Sequence, residues 1–211
     1  MLIKNSFIKY FSFFLSAIFI AYVIYMIITS FFIVRNQFID IGDSTYVNQV
    51  RTDDYTIKLA TYLTKNCNDN KLCEVQSMLD FVTAIPYKIN ESVARSSKQV
   101  VTQNFGDCDD KSNLLISLLK VRGYEAYFVL VPKHIFVIIN LENIKLNKKA
   151  LYVNNKPFYI LESTATASKI GFPLKYKFEE ISAIVDPFVN KKLVVNRIQK
   201  NWKIYDGSNI D

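Results

Sequence analysis

"GDCDDKSNLLISLLKVRGYEAYFVLVPKHIFVII", Gly106 to Ile139, holds the chain's single histidine and a change of structural period. In its first half Leu114, Leu115, Leu118 and Leu119 recur at the spacing of one helix face, which predicts a helix beginning around Cys108. Asp107 stands where an N-cap belongs, and Gly123 suits a helix end that passes into the left-handed region. From Glu125 the pattern becomes β-branched and aromatic, in "EAYFVLV" and then "HIFVIINL". The period has changed from helix to strand.

Working outward, Tyr55, Ile57, Leu59, Tyr62 and Leu63 predict an amphipathic helix over 53–65, capped by Thr52 or Asp53. Val75, Met78, Leu79 and Val82 predict a second over 72–84. It stops at Ile85-Pro86, because the residue before a proline resists the helical region. A polar stretch separates it from Cys108. Downstream, "ALYV", "PFYILES", "KKLVVNRI" and "NWKIYD" read as further strands. Asn154-Asn155 is a tight-turn pair, and Asn147 to Lys149 offers another reversal. Helices first and antiparallel strands afterwards indicate an α+β fold. The sequence contains no repeat and no glycine-rich phosphate loop.

The N-terminus is a separate matter. From Tyr10 to Val34 there is no charged residue, and such a run spans the roughly 30 Å hydrocarbon core of a bilayer. It ends in "ITSFFIVRN", a poor cleavage site, so it is read as an uncleaved signal-anchor helix. The organisation expected is a tail over 1–9, a transmembrane helix over 10–34, a connector over 35–50 and one domain over 51–211. Lys4 and Lys9 precede the helix, while Arg35 is soon balanced by Asp40 and Asp43. That bias favours a cytoplasmic N-terminus and an extracytoplasmic domain. Cys67 and Cys73 bracket "NDNKL", and two readings stand: a small disulfide loop outside the cytosol, or two reduced, half-buried thiols. The net charge of +7 comes from scattered lysines without interleaved aromatics, so a basic surface near an anionic membrane is expected and nucleic acid is not.

Chemistry concentrates in three residues. A thiol in the first turn of a helix meets unpaired backbone N–H groups that stabilise an anion and can receive an oxyanion. Asp109 and Asp110 act against a Cys108 thiolate. Strand alternation sends His134, Phe136 and Ile138 to one face and Ile135, Val137 and Ile139 to the other. A base needs an orienting acid. If "PFYILES" runs antiparallel to the histidine strand, Glu162 becomes a cross-strand neighbour of His134, although the loop between them leaves the register open.

In this order the residues resemble the transglutaminase-like superfamily of papain-fold cysteine enzymes. "GDCDDKSNLLISLLKVRGYEAYFVLV" is similar to the nucleophile segment, "KHIFVII" to the histidine strand and "YILESTA" to the acidic one; "MLDFVTAIPY" resembles the stretch preceding the core. The resemblance covers roughly Val75 to Phe172. It implies Cys108 as nucleophile, His134 as base and Glu162 as orienting acid, where the family usually has aspartate. Asp186 in "VDPF" is a rival acid, because the family often shows Asp-Pro-Thr there. The implied reaction is acyl transfer from a peptide or protein substrate through a thioester, with Cys108 reacting selectively near neutral pH in a His134-dependent manner. Hydrolysis is expected. Transfer to an amine and a non-catalytic binding module remain open. No cofactor is expected. Relatives with an acidic run around the cysteine can bind calcium, which would fall on Asp107, Asp109 and Asp110; zinc on Cys108, His134 and Glu162 lacks an anchoring local pair.

Overall fold

A computed structural model of the chain describes residues 6–40, 45–89, 95–141, 149–200 and 203–206. Lys4, Asp43, Asn147, Lys148, Asn201 and Trp202, which enter the sequence reading, lie outside them. The chain divides after Phe38 into two compact units. The first is essentially one helix, α1 (Ser6–Gln37). Its segment Ile8–Val34 is long and apolar enough to cross a membrane, a test that a signal sequence near an N-terminus also passes. Its polar Thr29 satisfies its hydroxyl within the helix, on the carbonyls of Tyr25 and Met26.

The second unit opens with a two-stranded sheet of β1 (Phe38–Asp40) and β2 (Thr45–Val47). Four helices follow: α2 (Asp54–Thr64), α3 (Lys71–Ala84), α4 (Ser97–Gln103) and α5 (Cys108–Val121). Of the two expected caps it is Asp53 that caps α2, accepting from the Thr56 N–H. The expected apolar stripe of α2 is corrected. Ile57 and Tyr62 are exposed, and the buried face is Thr56, Ala60 and Thr64 with Leu59 and Leu63 beside it. Small residues on that face let α2 approach α3 and α5 closely, and the threonine hydroxyls bond within the helix end or the turn before it. Cys67 and Cys73 form a disulfide between α2 and α3. Closing so short a loop stabilises by about 2 kcal/mol in the chain-entropy account.

Helix α3 ends at Ile85, before Pro86, as expected. The stretch read as polar contains α4, whose Ser96–Gln99 capping box starts it and whose Val100 is fully buried. Seven residues with one inward apolar position give no detectable period. Helix α5 is the central element. Every residue from Asp110 to Leu119 is buried, so its predicted leucine stripe is part of an all-round interface. Truncating one of those leucines to alanine costs about 2–5 kcal/mol. Gly123 follows with a φ of 75°.

The strands are β3 (Ala126–Val131), β4 (His134–Asn140), β5 (Leu151–Val153), β6 (Lys156–Leu161), β7 (Ala183–Asp186), β8 (Lys191–Lys192), β9 (Arg197–Lys200) and β10 (Lys203–Asp206). They form one antiparallel sheet in the order β10-β9-β5-β6-β4-β3-β7-β8. "KKLVVNRI" is not one strand: Leu193 to Asn196 break it into β8, at one edge of the sheet, and β9, second from the other. Asn154 and Asn155 both have positive φ and turn β5 into β6. One sheet face, with Phe128, Leu130, Ile135, Val137 and Ile139, packs on the helices. The other, with Val129, Phe136, Ile138 and Ile160, is covered by irregular chain carrying Phe172, Leu174, Tyr176 and Phe178. Two buried faces explain why these strands read as continuous apolar runs.

The stretch read as connector contributes to the core. Tyr46 is buried against Phe128, and its hydroxyl donates to Asn113 Oδ1 at 2.7 Å. The N–H groups of Gln49 and Arg51 donate to Asn113 and Ser117 of α5.

Candidate active site

The first turn of α5 is fixed from both sides. Asp107 caps it, accepting the Asp110 N–H at 3.1 Å. Gly106 packs so closely that an added Cβ would meet Asp110 Cβ at 3.1 Å and Lys111 Cγ at 3.2 Å. Its N–H donates to the Pro86 carbonyl and its carbonyl accepts from Lys88, tying the end of α3 to the Cys108 turn. Asp110 is buried at 1% exposure and faces Arg95. Arg95 Nη2 donates to its Oδ2 at 2.6 Å and the Arg95 N–H to its Oδ1 at 2.9 Å. Arg95 Nε also donates to Oδ2 at 3.1 Å, while Nη1 and Nη2 reach Gln103 Oε1 and the Phe105 carbonyl.

That framework sets Cys108 against strand β4. The last β4–β6 pair is Val137↔Leu161, so the backbone of Ile135 lies beyond the ladder. Two α5 side chains one turn apart occupy the vacated place. The Ile135 N–H is placed to favour an anion on the Cys108 sulfur, and the Ile135 carbonyl accepts from Ser112 Oγ at 3.4 Å. Ser112 also shares a 3.0 Å hydrogen bond with Ser163, at the end of β6.

His134 begins the same strand, one residue from that contact, after a turn in which Lys133 takes a φ of 58°. His134 Nε2 lies 3.0 Å from Glu162 Oε2. The register continues Leu161 opposite Val137 to Glu162 opposite Phe136, so the two are diagonal rather than directly facing neighbours. Diagonal positions are about 7–8 Å apart, and a glutamate is long enough to close that gap. The other carboxylate oxygen accepts from Thr164, through its N–H at 3.1 Å and its hydroxyl at 2.6 Å. Burial pushes the Glu162 carboxyl up, but the hydrogen bonds from His134 and Thr164 outweigh it and hold it below the usual range. The rival Asp186 ends β7 and accepts the Phe188 N–H at 2.9 Å, closing a turn.

The electrostatics correct one expectation. Burial pushes the Cys108 thiol up to about 12, and Asp109 and Asp107 push the same way against the Ile135 N–H. Of the two flanking carboxylates expected to oppose a thiolate, Asp109 does so, with its Oδ1 3.6 Å from the sulfur, whereas Asp110 is turned to Arg95. A thiol so placed is ionised about three-thousandfold less at pH 7 than one at the reference value of about 8.5. Cys108 therefore rests as the neutral thiol. Below its pKa the thiolate fraction rises tenfold per pH unit, so lowering that pKa accelerates alkylation. Asp109→Asn is expected to speed iodoacetamide alkylation of Cys108 about tenfold at pH 7–8. A rate equal to wild type would remove Asp109 from this account.

Among the described residues no group of three His, Cys, Asp or Glu side chains is arranged to hold a metal. The three aspartates considered for calcium serve different partners: Asp107 the helix N-terminus, Asp110 Arg95, and Asp109 the thiol. Beside His134 opens a cleft of about 320 Å³, lined by Glu162, Thr164, Phe172 and Tyr176 among others. Tyr176 stacks on the His134 ring at 6.1 Å and 21°. Sequence reasoning missed Arg95, Ser112 and Tyr176. Their only sequence trace is position: a lone arginine before a capping serine, a serine one turn after the cysteine, and a tyrosine in irregular chain.

The fold is thus a helical layer on an antiparallel sheet, with a helix-start cysteine beside a histidine strand. No family model matches the sequence, and no curated protein matches it. Among solved structures the chain is similar to a candidate cysteine protease from Cytophaga hutchinsonii, at 18% identity and a TM-score of 0.44, over 57% of this chain and 40% of that one. It is also similar to a candidate protease from Parabacteroides distasonis (14%, 0.38, 60% of this chain and 30% of that one) and to LapG of Legionella pneumophila (11%, 0.40, 76% and 91%). The chain spans less than half the length of the first two.

Proposed function

We propose that this chain is a membrane-anchored, transglutaminase-like cysteine peptidase whose catalytic unit lies outside the cytoplasm. One observation carries the reading: the Cys108 sulfur meets the backbone of Ile135, while the adjacent His134 is held by Glu162. Because Nε2 faces Glu162, Nδ1 is the nitrogen left to serve the thiol. His134 takes the thiol proton as sulfur attacks a peptide carbonyl, so the nucleophile forms during attack and no standing thiolate is needed. First-turn N–H groups of α5 receive the oxyanion. The imidazolium, stabilised by the Glu162 carboxylate, returns the proton to the leaving amine. Water then attacks the thioester, giving the carboxylate product and the free thiol. Export is supported by Lys9 ahead of the apolar helix and by the Cys67–Cys73 disulfide, which suits an oxidising compartment.

The raised thiol favours a second reading, a binding module that keeps the fold without the chemistry. The two separate in one experiment. Full-length protein in neutral-lipid nanodiscs is incubated with a proteome-derived peptide library, and new N-termini are counted by mass spectrometry. Wild type should generate them and Cys108→Ala should not. Equal cleavage, or none from either, overturns the peptidase reading; incorporation of a labelled amine instead would assign transamidation.

A further inference from the structure

A second groove, of about 530 Å³, adjoins the His134 cleft at Tyr176. Leu174, Lys175 and Tyr176 line both, so the two adjoin at this strap. The second groove is strongly one-signed. Lys175, Lys177, Lys200 and Lys203 line it against the single carboxylate of Glu179, over an apolar floor that includes Phe178. Glu180, the next acidic group, accepts the Lys177 backbone N–H. The lysines come from two separate segments, the strap and the β9–β10 edge, which the sequence does not show as a cluster. None of the ion pairs among the described residues involves Lys175, Lys177 or Lys200. Lys200 is half-buried, and burial alone depresses its ammonium, with no carboxylate holding it up.

We infer that this groove is an extended substrate subsite that takes an acidic peptide segment, next to the bond presented to Cys108. The inference rests on the reading of the His134 cleft as a substrate site. Lysines converging on an apolar floor destabilise one another until an anion arrives. An extended chain with alternating carboxylates suits the place: acidic side chains reach the lysines and the others rest on the floor. An anionic lipid surface would meet the same lysines, but a bilayer needs no groove beside the His134 cleft. The adjacency therefore favours a peptide.

The test uses full-length protein in phosphatidylcholine nanodiscs and fluorescein-labelled decapeptides of alternating Glu-Ala, with Gln-Ala as control, read by anisotropy. The Cys108→Ala protein should bind the Glu peptide and not the Gln peptide, more weakly as salt is raised. Lys175→Gln with Lys177→Gln, both exposed in the native protein, should weaken that binding about fivefold. In the peptide-library digest the same double substitution, with Cys108 intact, should lower cleavage of acidic sequences relative to neutral ones. Equal binding of the two peptides, or less than a twofold change in the double variant, overturns the inference. So does loss of binding to vesicles containing phosphatidylglycerol without loss for the Glu peptide, which assigns the lysines to lipid. Acidic-peptide binding that persists where no cleavage occurs upholds the groove while the peptidase reading fails.

Discussion

His134→Ala is expected to lower peptide cleavage by about a thousandfold or more, with protein that melts like wild type. Removing a general base that also protonates the leaving group costs about 10²–10⁴ on its own, and more where nucleophile and base act as a unit. Here the dependence should be severe because the thiol rests neutral, pushed up to about 12, and cannot attack without surrendering its proton. No second histidine exists to replace the base. Added imidazole should restore part of the activity by entering the vacated space, which a merely misfolded variant would not allow. Glu162→Gln should depress turnover less, since the amide still orients the ring but no longer stabilises its charge. Undiminished cleavage in His134→Ala would dismiss the cysteine–histidine mechanism.

Arg95→Ala should produce the largest loss of stability of any single substitution around the site. It leaves the Asp110 carboxylate, 1% exposed, without its cationic partner. Breaking a buried pair in this way costs about 3–5 kcal/mol. For a domain of this size that lowers Tm by roughly 6–20 °C. Asp110 lies in the same turn as Cys108, so turnover should fall further than unfolding accounts for. Arg95→Lys should lie between, keeping the charge but losing the planar fork that reaches Asp110, Gln103 and the Phe105 carbonyl together. Joint replacement by Arg95→Met and Asp110→Leu should recover stability, since an apolar pair leaves no buried charge behind. A melting temperature within about 2 °C of wild type for Arg95→Ala would show that Asp110 finds solvent or another partner.

Much of this molecule is written in local pattern. The membrane-length helix, α3 and its stop at Pro86, the switch from α5 into β3 and β4, and the Asn154-Asn155 turn each follow from neighbours a few residues apart. The alternation along β4 assigned His134 and Ile135 to opposite faces before any contact was known. Periodicity is a short-range signal, and these features are short-range. Where local pattern falls short, each case has its own physical reason. Helix α2 buries threonines and an alanine because close helix approach rewards small side chains, a preference that hydrophobicity does not encode. Helix α4 is too short to show a period. Strand β7 was hidden in the stretch before Asp186, a residue whose place after that stretch suits the turn it closes on the Phe188 N–H.

The sequence by itself determined the identities at the site: one histidine, one cysteine at a helix start, and an acid at a strand end. Their relation was decided by tertiary structure. Only the β4–β6 register puts Glu162 on the diagonal to His134, and only the early end of β6 leaves the Ile135 backbone open to Cys108 and Ser112. The thiol's resting state was decided there too. The dipole of a helix start favours the anion wherever it occurs, but burial and the nearness of Asp109 depend on what packs around that turn, and here they prevail.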